Sequence, residues 1–171
     1  SHMNAEDSKL FYKIACTYFN EEQWESAIKQ LDNALKIHKN QGEYNLLMGE
    51  CKMQIGAFKD VIQYLSNVVR MRPKSSQGWE ALIRCLFKAE YLDEAKEQAL
   101  AALHVTQGKP LFMFYLSNIL FSMGKSKEAI IYLERAMEKS PKLLKKFVEL
   151  NPSILQNQQV VDIVAKFKRR M

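Results

Sequence analysis

The side chains that most often perform chemistry are sparse here and widely scattered. The chain has three histidines and three cysteines in 171 residues, and catalysis would need a nucleophile beside a base, or Cys and His at metal-ligand spacing. His2 stands with Ser1 and Met3 in a stretch that reads as the remnant of a cleaved affinity tag. His38 and His104 fall near the ends of predicted helices, where an imidazolium favours the negative end of the helix dipole. Cys16, Cys51 and Cys85 are separated by 35 and 34 residues. An odd number at that spacing makes neither a metal motif nor a disulfide framework, so we expect packed thiols in a reducing, cytoplasmic setting. The six glycines lie apart and form no phosphate-cradling loop. These residues predict no enzyme, no metal and no cofactor.

The elements that hold these residues follow from composition and period. With 47% hydrophobic and 26% charged residues the chain can build a core, while 6 Gly and 4 Pro are too few for a turn-rich β protein. No run approaches the roughly 18–20 apolar residues of a membrane-spanning helix. The spacing that organises the rest is 34: Ala27, Val61, Ala95 and Ala129, then Ala34, Val68, Ala102 and Ala136. Leu31, Leu65, Ala99 and Leu133 recur in the same frame, as do Ile14, Met48, Leu82 and Leu116. Each unit carries two stretches with apolar residues three and four apart, which predicts a helical hairpin. Gly56 and Gly124 mark inner turns, Pro110 suits a helix start, and Pro73 and Pro141 end their units. In the third unit Glu90 takes the place of the turn glycine, and Gln107 followed by Gly108 replaces the proline.

A 34-residue unit with these landmarks resembles the tetratricopeptide repeat. Trp79, Leu82, Gly49 and Tyr18 match its Trp, Leu, Gly and Tyr positions. Ala27, Ala95 and Ala129 match its small residue, and Pro73 and Pro141 its closing proline. Ile83, Lys52 and Val61 depart from the pattern. The resemblance implies an all-α, right-handed superhelical solenoid of four hairpins, at 8–41, 42–75, 76–109 and 110–143, after a lead-in at 4–7. Residues 144–171 are then expected to form a capping segment with a basic end. Within it, Ser153 is expected to cap a helix whose stripe of Ile154, Val160, Val161, Val164 and Phe167 lies against the fourth unit.

The resemblance also implies a function, that of an adaptor whose first helices line a concave surface for a peptide or protein segment. The inward positions implied are Lys9, Tyr12, Cys16 and Phe19, then Leu46, Glu50 and Met53. Glu80, Arg84, Phe87 and Lys88 follow in the third unit, and Phe114, Asn118 and Phe121 in the fourth. Tyr12, Leu46 and Phe114 are the expected apolar contacts, with Arg84, Lys88 and Asn118 orienting the bound chain. Phe19, Met53, Phe87 and Phe121 make a column that serves packing as readily as binding. Members of this family that bind chaperone tails grip a terminal carboxylate with lysine and asparagine, and Tyr12, Cys16 and Leu47 in those places disfavour that ligand.

The net charge of +6 is confined to one end, since residues 139–171 hold eight Lys or Arg against Glu149 and Asp162. Residues 1–138 carry 17 charges of each sign. A solvated, dipole-complementing helix end accounts for the excess, and neither nucleic acid nor membrane is the expected partner. Two alternatives to the adaptor reading remain open at this point: an anionic nucleic-acid or membrane surface met by the basic end, and self-association of the stack. A monomer or weak homo-oligomer is expected.

Overall fold

The computed structural model describes residues 4–170, so the expected tag remnant at 1–3 lies outside the described residues. Among the described residues there are ten α-helices and no strand. Eight form four consecutive pairs. These are α1 (Ala5–Asn20) with α2 (Trp24–Ile37), α3 (Gly42–Gln54) with α4 (Phe58–Met71), α5 (Ser76–Lys88) with α6 (Leu92–Val105), and α7 (Pro110–Ser122) with α8 (Ser126–Lys139). A 3-10 turn at Pro141–Leu143 leads to α9 (Leu144–Leu150), and a second at Pro152–Gln156 leads to α10 (Gln158–Arg169).

The chain divides into two compact units, residues 1–63 and 64–171, with the boundary inside α4. In the first unit α1 packs on α2 and on α3, and α2 on α3. Ala27 and Ala34 are fully buried with Ala15 and Leu31; a side chain no larger than a methyl lets the helix backbones approach. Gly49 serves the same end, since a Cβ there would stand 3.6 Å from Val61. Helix α1 starts three residues ahead of Ser8. Asn4 accepts from the Glu6 and Asp7 amides while Asp7 returns a bond to the Asn4 amide, a reciprocal cap that satisfies amides with no partner inside the helix.

In the second unit α7 is the central element, in contact with α5, α6, α8 and α9. All residues from Leu111 to Phe121 are buried. The segment contains no charged side chain, and a helix apolar on every face must be covered on every face. Ala95, Ala99, Ala102, Ala129 and Ala136 are fully buried in α6 and α8. Trp79 donates from Nε1 to the Pro73 carbonyl at 2.6 Å, so its ring is buried without leaving the indole N–H unpaired. Helix α10 lies against α8 with Val160 and Phe167 buried, whereas Val161 is exposed. Its N-cap is Asn157, which accepts from the Gln159 and Val160 amides. The expected cap, Ser153, instead sits in the preceding 3-10 turn and bonds Asn151 at 2.7 Å; the turn begun by Pro152 delays the helix by several residues.

The pair-linking turns share one backbone device. Glu22, Gly56, Glu90 and Gly124 occupy the same place in successive pairs, with φ of 59°, 81°, 67° and 78°. Two of the four therefore put a glutamate into the left-handed region that glycine occupies without steric cost.

Candidate functional site

In the first unit the implied inward residues lie on α1 and α3. Lys9 is exposed, and Tyr12, Cys16, Phe19, Leu46 and Glu50 are half-buried. Tyr12 stacks on Tyr44 with ring centroids 4.9 Å apart and planes tilted by 31°. Tyr44 is itself buried and shares a 3.1 Å hydrogen bond with Ser8. Burial, followed by the hydrogen bond and charge of Cys16, pushes the Tyr12 hydroxyl up to about 12, so it is a neutral donor at physiological pH. Met53 is buried and Phe19 stands edge-on to Trp24 at 5.2 Å, so both serve packing. Cys51 is fully buried and burial raises its thiol to about 11. That leaves it a poor nucleophile.

The second unit departs from expectation. On α5, Lys88 is exposed and Glu80, Arg84 and Phe87 are half-buried. On α7, however, Phe114 and Asn118 are both 0% exposed and Phe121 is buried. The two residues expected to meet a foreign polypeptide meet the chain's own α9 instead. Phe114 faces Phe147 with ring centroids 6.0 Å apart. Asn118 donates from Nδ2 to the Phe147 carbonyl at 2.7 Å. That carbonyl is among the last four of α9, which have no acceptor role inside the helix. Lys146 reaches Glu80 at 2.9 Å, and the Tyr115 hydroxyl donates to the same carboxylate oxygen at 3.1 Å. Burial and the Glu80 carboxylate both raise the Tyr115 hydroxyl above its usual range, keeping it protonated as the donor.

The fit is incomplete at one atom. Asn118 Oδ1 is buried and has no hydrogen-bond partner, which costs about 1–3 kcal/mol for a buried acceptor. The amides in the last turn of α9 are committed to the helix backbone, so α9 satisfies the donor end of the carboxamide and not the acceptor end. Tyr115, Lys146 and Phe147 complete this arrangement; in sequence Lys146 belongs to the basic end, and Tyr115 and Phe147 are not singled out. The signal for them was the uncharged run from Pro110 to Ser122, which predicts a cover over both faces.

At the basic end, Lys166 pairs with Glu134 at 3.5 Å, and Arg170 lies 5.3 Å from the Phe167 ring centroid. Lys142, Lys145, Lys168 and Arg169 are exposed. No group of three or more His, Cys, Asp or Glu that could hold a metal occurs among the described residues. Nor is any described helix long and apolar enough to cross a membrane.

Paired helices at a 34-residue repeat define a class, and comparison with known proteins agrees. The profile of the tetratricopeptide repeat matches residues 113–143. Among solved structures, a thermophilic tetratricopeptide-repeat protein of Thermus thermophilus superposes with a TM-score of 0.65 at 14% identity, covering 95% of this chain and 97% of its own. A MamA protein superposes at 0.65 with 20% identity, covering 96% and 89%. A MamA fragment from Desulfovibrio magneticus RS-1 superposes at 0.68 with 16% identity, covering 95% and 94%. Among curated proteins none matches in sequence. The chain carries a tetratricopeptide repeat and has the fold of tetratricopeptide-repeat proteins.

Proposed function

We propose that this protein is a noncatalytic adaptor that binds a peptide or protein segment on the first helices of its pairs, α1 and α3 in the first unit or α5 and α7 in the second. The observation that carries the reading is α9, a segment from outside the helix pairs docked on α7 through an aromatic contact and a backbone hydrogen bond, and on α5 through an ion pair. Those are the means by which protein surfaces hold a foreign chain. The fold, shared with tetratricopeptide-repeat proteins, supports the same conclusion. In the first unit the face centred on Tyr12 and Leu46 offers half-buried apolar surface beside the exposed Lys9, which suits a segment with apolar side chains.

The test is selection of displayed random peptides on the intact protein, followed by titration of the enriched sequences. Tyr12→Ala with Leu46→Ala should weaken peptides bound at the first unit by about tenfold or more, as expected when contact residues at the centre of an interface are truncated. Cooperative unfolding should persist in that variant. A library that yields no enriched sequence would overturn the reading.

A further inference from the structure

Helix α9 lies outside the four helix pairs and is held on α7 and α5 by contacts of the kind that also hold a bound ligand. It comprises residues 144–150; Leu144, Val148 and Leu150 are half-buried, and Lys146 and Phe147 make its specific contacts. Phe147 is fully buried and faces Phe114. Lys146, next to it in sequence, pairs with Glu80, which also accepts from Tyr115. The Phe147 carbonyl accepts from Asn118. Asn118 Oδ1 on the same face is buried without a donor. A carboxamide can hold a peptide unit at two points, donating to a carbonyl and accepting from an amide. At the last turn of a helix, where Phe147 lies, only the first of these is on offer, because the amides there are engaged in the helix's own bonds. An extended segment offers both.

We propose that the face formed by Glu80, Phe114, Tyr115 and Asn118 is a binding site for an extended polypeptide segment carrying a basic residue followed by an aromatic one. On this proposal α9 is its resident competitive occupant. The proposal rests on the peptide-binding reading above and adds the ligand chemistry and its regulation. The basic side chain takes the place of Lys146 on Glu80, and the aromatic ring takes that of Phe147 on Phe114. The backbone of the incoming segment supplies the amide that Asn118 Oδ1 lacks. Apparent affinity is reduced by the fraction of molecules in which α9 is docked, so anything that loosens α9 tightens ligand binding.

The experiment uses the full chain and a fluorescein-labelled peptide of residues 141–152, Pro-Lys-Leu-Leu-Lys-Lys-Phe-Val-Glu-Leu-Asn-Pro. Binding is followed by fluorescence anisotropy to the unaltered protein and to Lys146→Ala/Phe147→Leu, which weakens internal docking while keeping an apolar side chain in place. The expected result is at least about tenfold tighter binding to the variant, since it loses an ion pair and an aromatic contact that compete with the peptide. The same peptide with alanine at its Lys146 and Phe147 positions should not bind. If the double variant fails to melt cooperatively, Lys146→Ala alone carries the test, with an expected gain of about two- to fivefold.

Equal affinity for the unaltered and folded variant proteins overturns the proposal, as does undiminished binding of the alanine peptide. Either outcome leaves the broader reading intact when displayed peptides are still captured through Tyr12 and Leu46. Its failure shows separately, as an empty peptide selection.

Discussion

Tyr12 and Phe114 stand at the same place in the 34-residue pattern, as do Cys16 and Asn118, yet the two ends of the chain treat them in opposite ways. In the first unit Tyr12 and Cys16 are half-buried, resting on Tyr44 and the helices beneath. In the second unit Phe114 and Asn118 are sealed under α9. The pattern fixes which side of the helix a residue occupies, because i and i+34 repeat a whole structural unit. It does not fix whether chain from beyond the repeat lies over that side. The cover is specified elsewhere, by Lys146 and Phe147, and its counterpart in α7 is a helix without a charge.

The largest expected difference is in stability. Phe114→Ala should lower the unfolding free energy by about 3–5 kcal/mol, as for a buried phenylalanine that leaves a cavity. Tyr12→Ala removes a partly exposed ring and should cost about 1–2 kcal/mol. Chemical denaturation of both variants measures the contrast, and equal losses would remove it. This also means that Phe114→Ala is a poor probe of binding, since truncation disturbs the core.

The turns sharpen the comparison by a different route, because each unit has one glutamate and one glycine at the left-handed position. Glu22→Gly and Glu90→Gly should each stabilise by about 0.5–1 kcal/mol, the left-handed strain relieved less the extra chain entropy of glycine. Gly56→Ala and Gly124→Ala should each destabilise by about 1 kcal/mol. Thermal melts would show the four shifts, and a loss on either glutamate replacement would mean that its side chain supports the turn.

Above pH 10 the tyrosines respond. Tyr12 is raised from 10.0 to about 12 and Tyr115 is raised as well, both chiefly by burial. A group whose proton is held more tightly in the folded state contributes its full stability below the unfolded value and loses it as the pH climbs. Melting temperature should therefore fall between pH 10 and 12, and Tyr12→Phe, which keeps the ring on Tyr44, should fall less steeply. Parallel pH profiles would contradict the assignment. The smallest effect is expected at the ion pair: both partners are partly exposed, so Lys146→Ala should cost only about 0.5–1 kcal/mol, less at high salt.

Much of the fold was legible in sequence because small residues at fixed spacing report helix contacts directly. Ala27, Ala95 and Ala129 are all fully buried. Pro110 opens α7 at its first turn, and His38 and His104 stand at or near helix C-termini. The turn at Glu90 was readable only by position, since nothing in a glutamate announces a positive φ. The helix start at Ser153 was misplaced because Pro152 supports a 3-10 turn as well as an α-helix. On α1, α3 and α5 the expected inward positions are exposed or half-buried, apart from the buried Met53. On α7 the expected positions are covered rather than open, since periodicity within a repeat says nothing of a segment that folds back from outside it.

Native-state hydrogen exchange of the intact protein tests the central claim most directly, because it reads docking and release of α9 in one measurement. The account predicts that amides of residues 144–150 are protected, yet exchange by a local opening with a lower free energy than the amides of α7, which should exchange only on unfolding of their unit. Unprotected amides in 144–150 would show that α9 does not occupy the face. Protection equal to that of α7 would show a fixed core helix rather than an exchangeable occupant.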